Sequence, residues 1–265
     1  MKKKILGILF VVICIACVFT LASCKDEVKD HEYVYLGEYP QTIKANDVTI
    51  TETTNEKGYF LGSDGAYYAK VVASPSDSEN YVFSNGEAVK NGSTYYFKVE
   101  PIKWVSIKGD NGKSLLVCDT ILTNHRFDDN SNKYEESEIR AWLNSELYAV
   151  AFSDDEKKNI VDTEVGSEKD KVLLPSYDEV NSNEFLLDDK KESTSRQIKA
   201  SDYALATGVL VTLNEDSYGN GFWWLRTEST DEGKAKYIYH DGFLFGGGVA
   251  YEYIGVVPVI YIKNN

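Results

Sequence analysis

The sequence predicts an α+β fold with a mostly antiparallel sheet and a central block of helices. Short apolar and aromatic segments, separated by glycine turns typical of hairpins, occupy residues 33–118 and again 219–262. Between them, apolar residues in 137–152 recur at the spacing of one helical face. Because strands and helices are grouped rather than alternating, an antiparallel sheet is favoured over a parallel one.

Two hairpins are predicted in the first group of strands. Asp64-Gly65 and Asn111-Gly112 are turn sequences that accept the positive φ of tight connections. Each turn is flanked by apolar segments, 59–61 and 67–72 around the first, 102–107 and 114–118 around the second.

Serine residues mark the starts of several predicted helices. Ser153 with Glu156, and Ser176 with Glu179, fit the capping box, in which the two side chains satisfy free backbone amides. Besides the helix over 137–152, we therefore expect helices that begin after these serines, and one over 201–207 that ends at Gly208.

The last third of the chain returns to strands. These are predicted at 219–227, 235–240 and 243–245, with a turn at Asp241-Gly242 and three glycines before the final apolar strand at 255–262. Pro258 cannot donate a backbone hydrogen bond, so it is expected at a sheet edge or a bulge.

The N-terminus has the layout of a secretory signal. Three lysines precede an apolar segment at 5–21, and Leu21-Ala22-Ser23-Cys24 resembles the bacterial lipobox, in which the cysteine receives a diacylglyceryl group after cleavage. We predict a lipoprotein signal peptide at 1–24, a polar tether at 25–32 and a single domain at 33–265. The alternative is an uncleaved transmembrane anchor. Both interpretations place the domain on the extracytoplasmic face of the cell membrane.

Composition excludes some partners and chemistries. The formal charge is −14, and removal of three signal-peptide lysines leaves 28 − 3 = 25 basic against 42 acidic residues, about −17. This charge argues against nucleic acid and anionic lipid surfaces. Loss of the signal and lipidation of Cys24 leave Cys118 as the one free thiol, so no intramolecular disulfide forms. Its apolar surroundings favour a buried, inert thiol over a nucleophile.

Several collinear segments resemble the DUF6273 family of uncharacterised exported bacterial domains. They are 37–41, 101–105, 139–144, 151–153, 171–180, 221–227 and 255–262. The ending, a Trp-Leu-Arg strand followed by Gly-Val-x-Pro, is more distantly similar to the formylglycine-generating-enzyme and C-type-lectin-like fold. That resemblance implies a compact α+β domain with a loop-rich binding face. Val257 stands where the pattern usually has arginine, and the lone Cys118 excludes the oxidase chemistry of that enzyme.

Candidate catalytic and metal sites are weak. The oxygen-rich loop 214–220 could contribute calcium ligands, but it matches no complete metal-loop pattern and is interpreted as a polar loop. His125, followed by Asp128 and Asp129, could form a catalytic cluster, although a solvated loop predicts the same composition. We therefore predict no metal and no cofactor, and favour a non-catalytic protein over an enzyme.

Aromatic residues of the C-terminal third form the better candidate site. Alternating aromatic positions place rings on common faces of adjacent strands, where they could stack on a glycan or anchor a protein partner. The competing interpretation is that all these rings pack in the core. Arg226 is expected to be a structural cation rather than a catalytic one. The candidate ligand-binding residues are Trp224, Arg226, Tyr237, Tyr239, His240, Tyr251 and Tyr253.

These observations predict a surface-anchored bacterial lipoprotein, held to the membrane through lipid on Cys24, whose domain binds a glycan or protein ligand. Two alternatives stay open. One is a hydrolase that uses acidic residues and the His125 loop, and the other is a purely structural component of the cell envelope. Exposure of the Trp224 face distinguishes a binding protein from a structural one.

Overall fold

The computed structural model describes residues 32–77, 80–109, 112–181 and 194–264. The predicted signal peptide (1–24) and nearly all of the predicted tether (25–32) lie outside these residues. His31–Asn265 form one compact unit by their internal contacts. Among the described helices, none combines the length and the apolar character that a membrane span requires.

The described strands form two larger sheets and one small hairpin. The strands are β1 Glu32–Ile43, β2 Ile50–Thr54, β3 Phe60–Gly62, β4 Tyr67–Val72, β5 Thr94–Lys108, β6 Lys113–Cys118, β7 Thr123–Asn124, β8 Thr163–Val165, β9 Glu168–Asp170, β10 Trp223–Glu228, β11 Lys234–Ile238, β12 Leu244–Gly248, β13 Gly255–Val256 and β14 Val259–Lys263. In the first sheet the order is β14-β6-β5-β4-β3-β2, with β1 paired to β5; in the second it is β12-β11-β10-β13-β7; β8 and β9 form the hairpin.

Nearly all of the pairings are antiparallel, so the predicted α+β class with mostly antiparallel sheet is confirmed. Both predicted hairpins form: β3 pairs β4 around Gly65, and β5 pairs β6, with Trp104 opposite Cys118. Gly65 has a φ of 81°, in the left-handed region that a side chain rarely adopts.

The helical block lies between the two groups of strands, as predicted. The predicted helix over 137–152 is present as a continuous run with a π-helical turn at Leu143–Leu147 in its middle. Capping boxes form at Ser153 and Ser176, and Ser201 accepts a hydrogen bond at the start of the last helix. The α-helices are α1 Glu138–Trp142, α2 Tyr148–Ala151, α3 Asp154–Lys157, α4 Tyr177–Val180 and α5 Asp202–Thr207.

The C-terminal apolar segment differs from the single strand predicted at 255–262. It is two strands in two sheets: β13 runs parallel to β10, whereas β14 pairs antiparallel with β6. Val257 and Pro258 connect them, and the Pro258 carbonyl accepts a hydrogen bond from the Cys118 amide at 3.0 Å. Pro258 is tolerated at this connection between β13 and β14 because the chain passes there from one sheet to the other, and no backbone N–H is needed for strand pairing.

Candidate ligand-binding site

The second sheet presents aromatic rings along one face. Trp224 is opposite Tyr237 in the β10–β11 pairing, and Tyr237 is opposite Phe245 in the β11–β12 pairing. Residues opposite each other in a sheet project to the same side, and so do alternate residues of one strand. Six rings of this side are called the aromatic face below; Phe222 among them is buried, and the other five are partly exposed: Phe222, Tyr237, Tyr239, Phe245, Tyr251 and Tyr253.

Each ring of the aromatic face contacts a neighbouring ring, often on an adjacent strand. The ring centroids of Phe222 and Tyr239 lie 4.3 Å apart, and those of Tyr239 and Phe245 lie 5.0 Å apart. Tyr237 and Phe245 are nearly parallel, with an interplanar angle of 22°. Mutual packing of this kind restricts ring motion, so the exposed surfaces are held in place.

The glycines of β12 make room for two of these rings. A Cβ added at Gly247 would lie 2.8 Å from the Tyr237 ring and 3.1 Å from the Tyr251 ring. Tyr251 itself stacks on Tyr253, with centroids 5.0 Å apart and an angle of 22°. Gly246, Gly247 and Gly248 therefore belong to the edge strand rather than to a loop before the final strand, and they let Tyr251 lie flat against the sheet.

Exposure varies across the aromatic face. Phe245 is 46% exposed and Tyr251 41% exposed, whereas Tyr237, Tyr239 and Tyr253 are half-buried. Burial, and then the proximity of Tyr253, Tyr239 and Tyr251, raises the pKa of Tyr237 to about 12. The Tyr237 phenol is therefore protonated at neutral pH and lies near the other tyrosines of the face. The face combines flat apolar rings with hydrogen-bonding hydroxyls.

Trp224 does not belong to the exposed part of this surface. Both Trp223 and Trp224 have no exposed surface, although successive residues of a strand point to opposite sides. The Trp223 indole donates to the Arg196 carbonyl at 3.2 Å on one side, and the Trp224 indole donates to the His125 carbonyl at 2.8 Å on the other. Segments distant in sequence cover both faces of β10, so the Trp224 ring is not accessible to a ligand.

Arg226 is held by an ion pair with Glu179. Its guanidinium donates to both carboxylate oxygens at 2.6 Å, and Tyr261 donates to the same carboxylate at 3.0 Å. Burial would raise the pKa of Glu179, but the hydrogen bonds and charge of Arg226 outweigh it and the pKa is lowered. Arg226 also donates to the Leu174 carbonyl at 2.6 Å. Arg226 therefore joins β10 to α4 and is not directed at a ligand.

His240 packs against rings of the aromatic face, and one of its ring nitrogens is buried. Its ring lies 4.4 Å from Tyr239 and 5.7 Å from Phe222, measured between centroids. Within the described part of the chain, its Nδ1 atom is buried and has no hydrogen-bond partner. His240 therefore supports the rings of Tyr239 and Phe222 by packing against them.

The His125 loop does not bring its histidine and its acids together as a reactive group. His125 Nδ1 lies 2.6 Å from the Arg126 carbonyl, and its ring packs on Trp142. The Asp128 carboxylate accepts from the backbone amides of residues 130, 131 and 138. The Asp128 carboxylate thereby stabilises the loop and the first turn of α1. This geometry favours a structural role for the loop over a hydrolytic one.

Cys118 is buried, as the sequence predicts. It is 1% exposed, its thiol donates to the Thr120 carbonyl at 3.1 Å, and burial raises its pKa. A thiol with a raised pKa carries little thiolate and is a poor nucleophile. Within the described residues, no group of three or more His, Cys, Asp or Glu side chains could hold a metal ion.

A cleft beside the first sheet was not selected by the sequence analysis. Its volume is about 470 Å³, and it lies between β1, the turn before β3, β4, α2 and α5. Its polar and aromatic lining comes from Tyr39, Lys57, Tyr59, Phe60, Lys70 and Tyr203. These residues are spread over more than half of the chain and follow no local motif, so no sequence signal could have grouped them.

The fold is that of an α+β domain in which a mostly antiparallel sheet carries exposed aromatic rings at one edge. The chain belongs to the family described as Domain of unknown function (DUF6273), whose model matches residues 111–264, more than half of the chain. That range contains the whole aromatic face. Searches of curated proteins and of solved structures each gave no match.

Proposed function

We propose that this protein is a surface-anchored bacterial lipoprotein whose domain binds a glycan, without catalysis, through the aromatic face. The observation that carries the proposal is the exposure of Phe245 and Tyr251 beside a group of tyrosine hydroxyls. The C–H faces of a sugar ring stack on flat aromatic rings, and its hydroxyls pair with protonated phenols. Both kinds of contact are offered by one surface.

A glycan is favoured over a protein partner by the size of the exposed apolar surface. A stable protein interface buries about 800 Å² on each partner and is built around a desolvated apolar centre. Of the six rings of the aromatic face, Phe245 and Tyr251 have the greatest exposure. Two partly exposed rings with hydroxyls around them match one or two sugar units more closely than the centre of a protein interface.

The test is a glycan array probed with the full chain in detergent micelles. Wild-type protein should bind a subset of glycans, the Phe245→Ala/Tyr251→Ala variant should lose that binding, and Tyr35→Ala should keep it. Tyr35 is a suitable control because it is an exposed tyrosine (64%) on β1, in the other sheet. Absence of glycan binding by a folded wild-type protein, or equal binding by the double variant, contradicts the proposal.

Membrane attachment through Cys24 is the second part of the proposal. It is supported by the basic, apolar and small-residue order that ends in Leu21-Ala22-Ser23-Cys24. Metabolic labelling with a fatty acid should mark the wild-type protein, and the label should disappear in Cys24→Ser. Persistent labelling of Cys24→Ser refutes lipidation at this position.

We also propose that the domain is a member of the C-type-lectin-like folds. The parallel pairing of β10 with β13, with Trp223 opposite Gly255, supports this relation because it places the two resembling terminal segments side by side. An experimental structure of the domain should superpose on that fold with the same strand order around β10. A different strand order there would exclude the relation.

A further inference from the structure

We propose that the cleft between β1, β4 and α5 is a second ligand site, which takes a small carboxylated sugar such as a uronic acid. It is separate from the aromatic face, since its lining comes from the first sheet and from helices α2 and α5. A volume of about 470 Å³ lies within the range of about 300–1,000 Å³ common among small-molecule sites.

Three tyrosines give the cleft its hydrogen-bonding groups. Tyr39 is buried, and its ring meets the Tyr203 ring edge-to-face at 5.6 Å. Burial, and then the proximity of Tyr203 and Tyr59, raises the pKa of Tyr39. Tyr59 is near both Tyr203 and Glu38, and burial followed by these neighbours raises its pKa to about 12. All three phenols are therefore protonated at neutral pH and suit the hydroxyls of a sugar.

Two lysines supply positive charge in an otherwise acidic protein. Lys57 donates to the Val150 carbonyl at 2.7 Å, and the Lys70 ammonium lies 6.0 Å from the centre of the Phe60 ring. Within the described residues, neither lysine forms an ion pair with an acid. In a chain that carries −14, two cations that line one cleft without an ion-pair partner offer donors for an anionic ligand.

Two acids lie near the cleft and offset part of this charge, but their carboxylates form no ion pair with Lys57 or Lys70 among the described residues. Glu156 is close enough to Lys57 for the lysine to lower its pKa, but its carboxylate is held by the Gly37 amide and by Ser153. Glu38 is exposed and lies near Tyr59. The lysines therefore retain hydrogen-bonding capacity for a ligand carboxylate.

Apolar walls complete the match to a sugar acid. Phe60, Val71 and Val150 offer apolar surface for the face of a sugar ring, while the lysines and phenols recognise its carboxylate and hydroxyls. A simple inorganic anion would use only the lysines. A neutral sugar would leave the lysines without a partner, so the arrangement fits a ligand with both features.

The test is saturation-transfer NMR and calorimetry of the full chain in detergent micelles with D-glucuronate, D-glucose and acetate as probes. Glucuronate should bind measurably and more tightly than the other two. The double variant Lys57→Gln/Lys70→Gln should weaken glucuronate binding about tenfold or more, and Tyr59→Phe about fivefold. The control Lys90→Gln/Lys113→Gln makes the same charge change at exposed positions elsewhere and should leave the affinity unchanged.

The outcomes separate this site from the aromatic face. Phe245→Ala/Tyr251→Ala should leave glucuronate binding intact, so failure of the glycan array does not decide the cleft. The proposal is overturned if wild-type protein shows no transfer to glucuronate up to about 10 mM. It is also overturned if acetate or glucose binds equally well, or if the control pair weakens binding as much as Lys57→Gln/Lys70→Gln. Circular dichroism and thermal melting should show that each variant is folded.

Discussion

Two strands of one sheet, β10 and β12, use aromatic residues in opposite ways. On β10, Trp223 and Trp224 are wholly buried and hydrogen-bonded to distant backbone carbonyls. On β12 and the turn after it, Phe245 and Tyr251 keep more than two-fifths of their surface exposed. Both segments are similarly rich in aromatic residues. The difference arises from what covers them, which shows that aromatic content does not by itself identify a binding face.

Substitutions on β10, the covered strand, should lower stability more than substitutions on the exposed β12. Trp224→Ala removes a fully buried ring that packs on Phe127 and Tyr237, and it leaves the His125 carbonyl without its donor. We expect the free energy of unfolding to fall by about 3–5 kcal/mol, as for large core truncations. Chemical denaturation of the two proteins measures this. A loss as small as that of an exposed tyrosine would contradict the anchoring role of β10.

The ion pair behind β10 should make stability depend on pH. Glu179→Gln leaves the largely buried Arg226 without its counter-ion and should lower the free energy of unfolding by about 2 kcal/mol near pH 7. The pKa of Glu179 is lowered in the folded protein from its usual value of 4.5. Its contribution is therefore fully present above that value and is lost as the pH falls through the lowered pKa.

Thermal melting between pH 7 and pH 3 measures this dependence. Wild-type protein should lose more stability than Glu179→Gln over the acidic part of the range. Asp231→Asn is a matched control, because Asp231 pairs with Lys234 at 2.9 Å on the exposed surface. Such a surface pair contributes little, so its acid profile should resemble that of the wild type. Parallel profiles for wild type and Glu179→Gln would contradict the account.

The exposed rings should show the reverse pattern, with an effect on binding and little on stability. Phe245→Ala/Tyr251→Ala should lower the free energy of unfolding by less than about 1 kcal/mol, since both rings are already partly in water. Affinity for a glycan identified on the array should fall about tenfold or more, as stacking contacts are lost. A large fall in stability would instead show that these rings are part of the core.

The smallest effect is expected for a single hydroxyl. Tyr237→Phe keeps the ring that packs between Trp224 and Phe245 and removes only the phenol oxygen. One hydrogen bond contributes about 1 kcal/mol, so glycan affinity should fall about fivefold with the melting temperature unchanged. Calorimetric titration distinguishes this from a purely packing role, for which the affinity would not change.

Local features of this fold could be predicted from the sequence because their signals are local. The hairpins around Gly65 and Gly112 follow from turn residues between apolar segments. The helix starts at Ser153, Ser176 and Ser201 follow from side chains that satisfy nearby amides. The α+β class then follows from the grouping of these elements.

Non-local features could not be predicted. The burial of Trp224 depends on a segment about 100 positions earlier, and the pairing of Arg226 depends on Glu179. The division of 255–262 into two strands depends on their partners in two different sheets. The segment before Pro258 pairs with β10, and the segment after it pairs with β6. The same limit applies to the cleft, whose lining residues meet only after the first sheet packs on α5.

The most direct test of the central claim compares glycan affinity and stability in the same proteins. Calorimetric titration and thermal melting of wild type, Phe245→Ala/Tyr251→Ala and Tyr35→Ala should use the glycan that binds best on the array. The account predicts lost affinity with a nearly unchanged melting temperature in the double variant, and wild-type behaviour in Tyr35→Ala. Undiminished affinity in the double variant would contradict the claim that the exposed edge of this sheet binds the ligand.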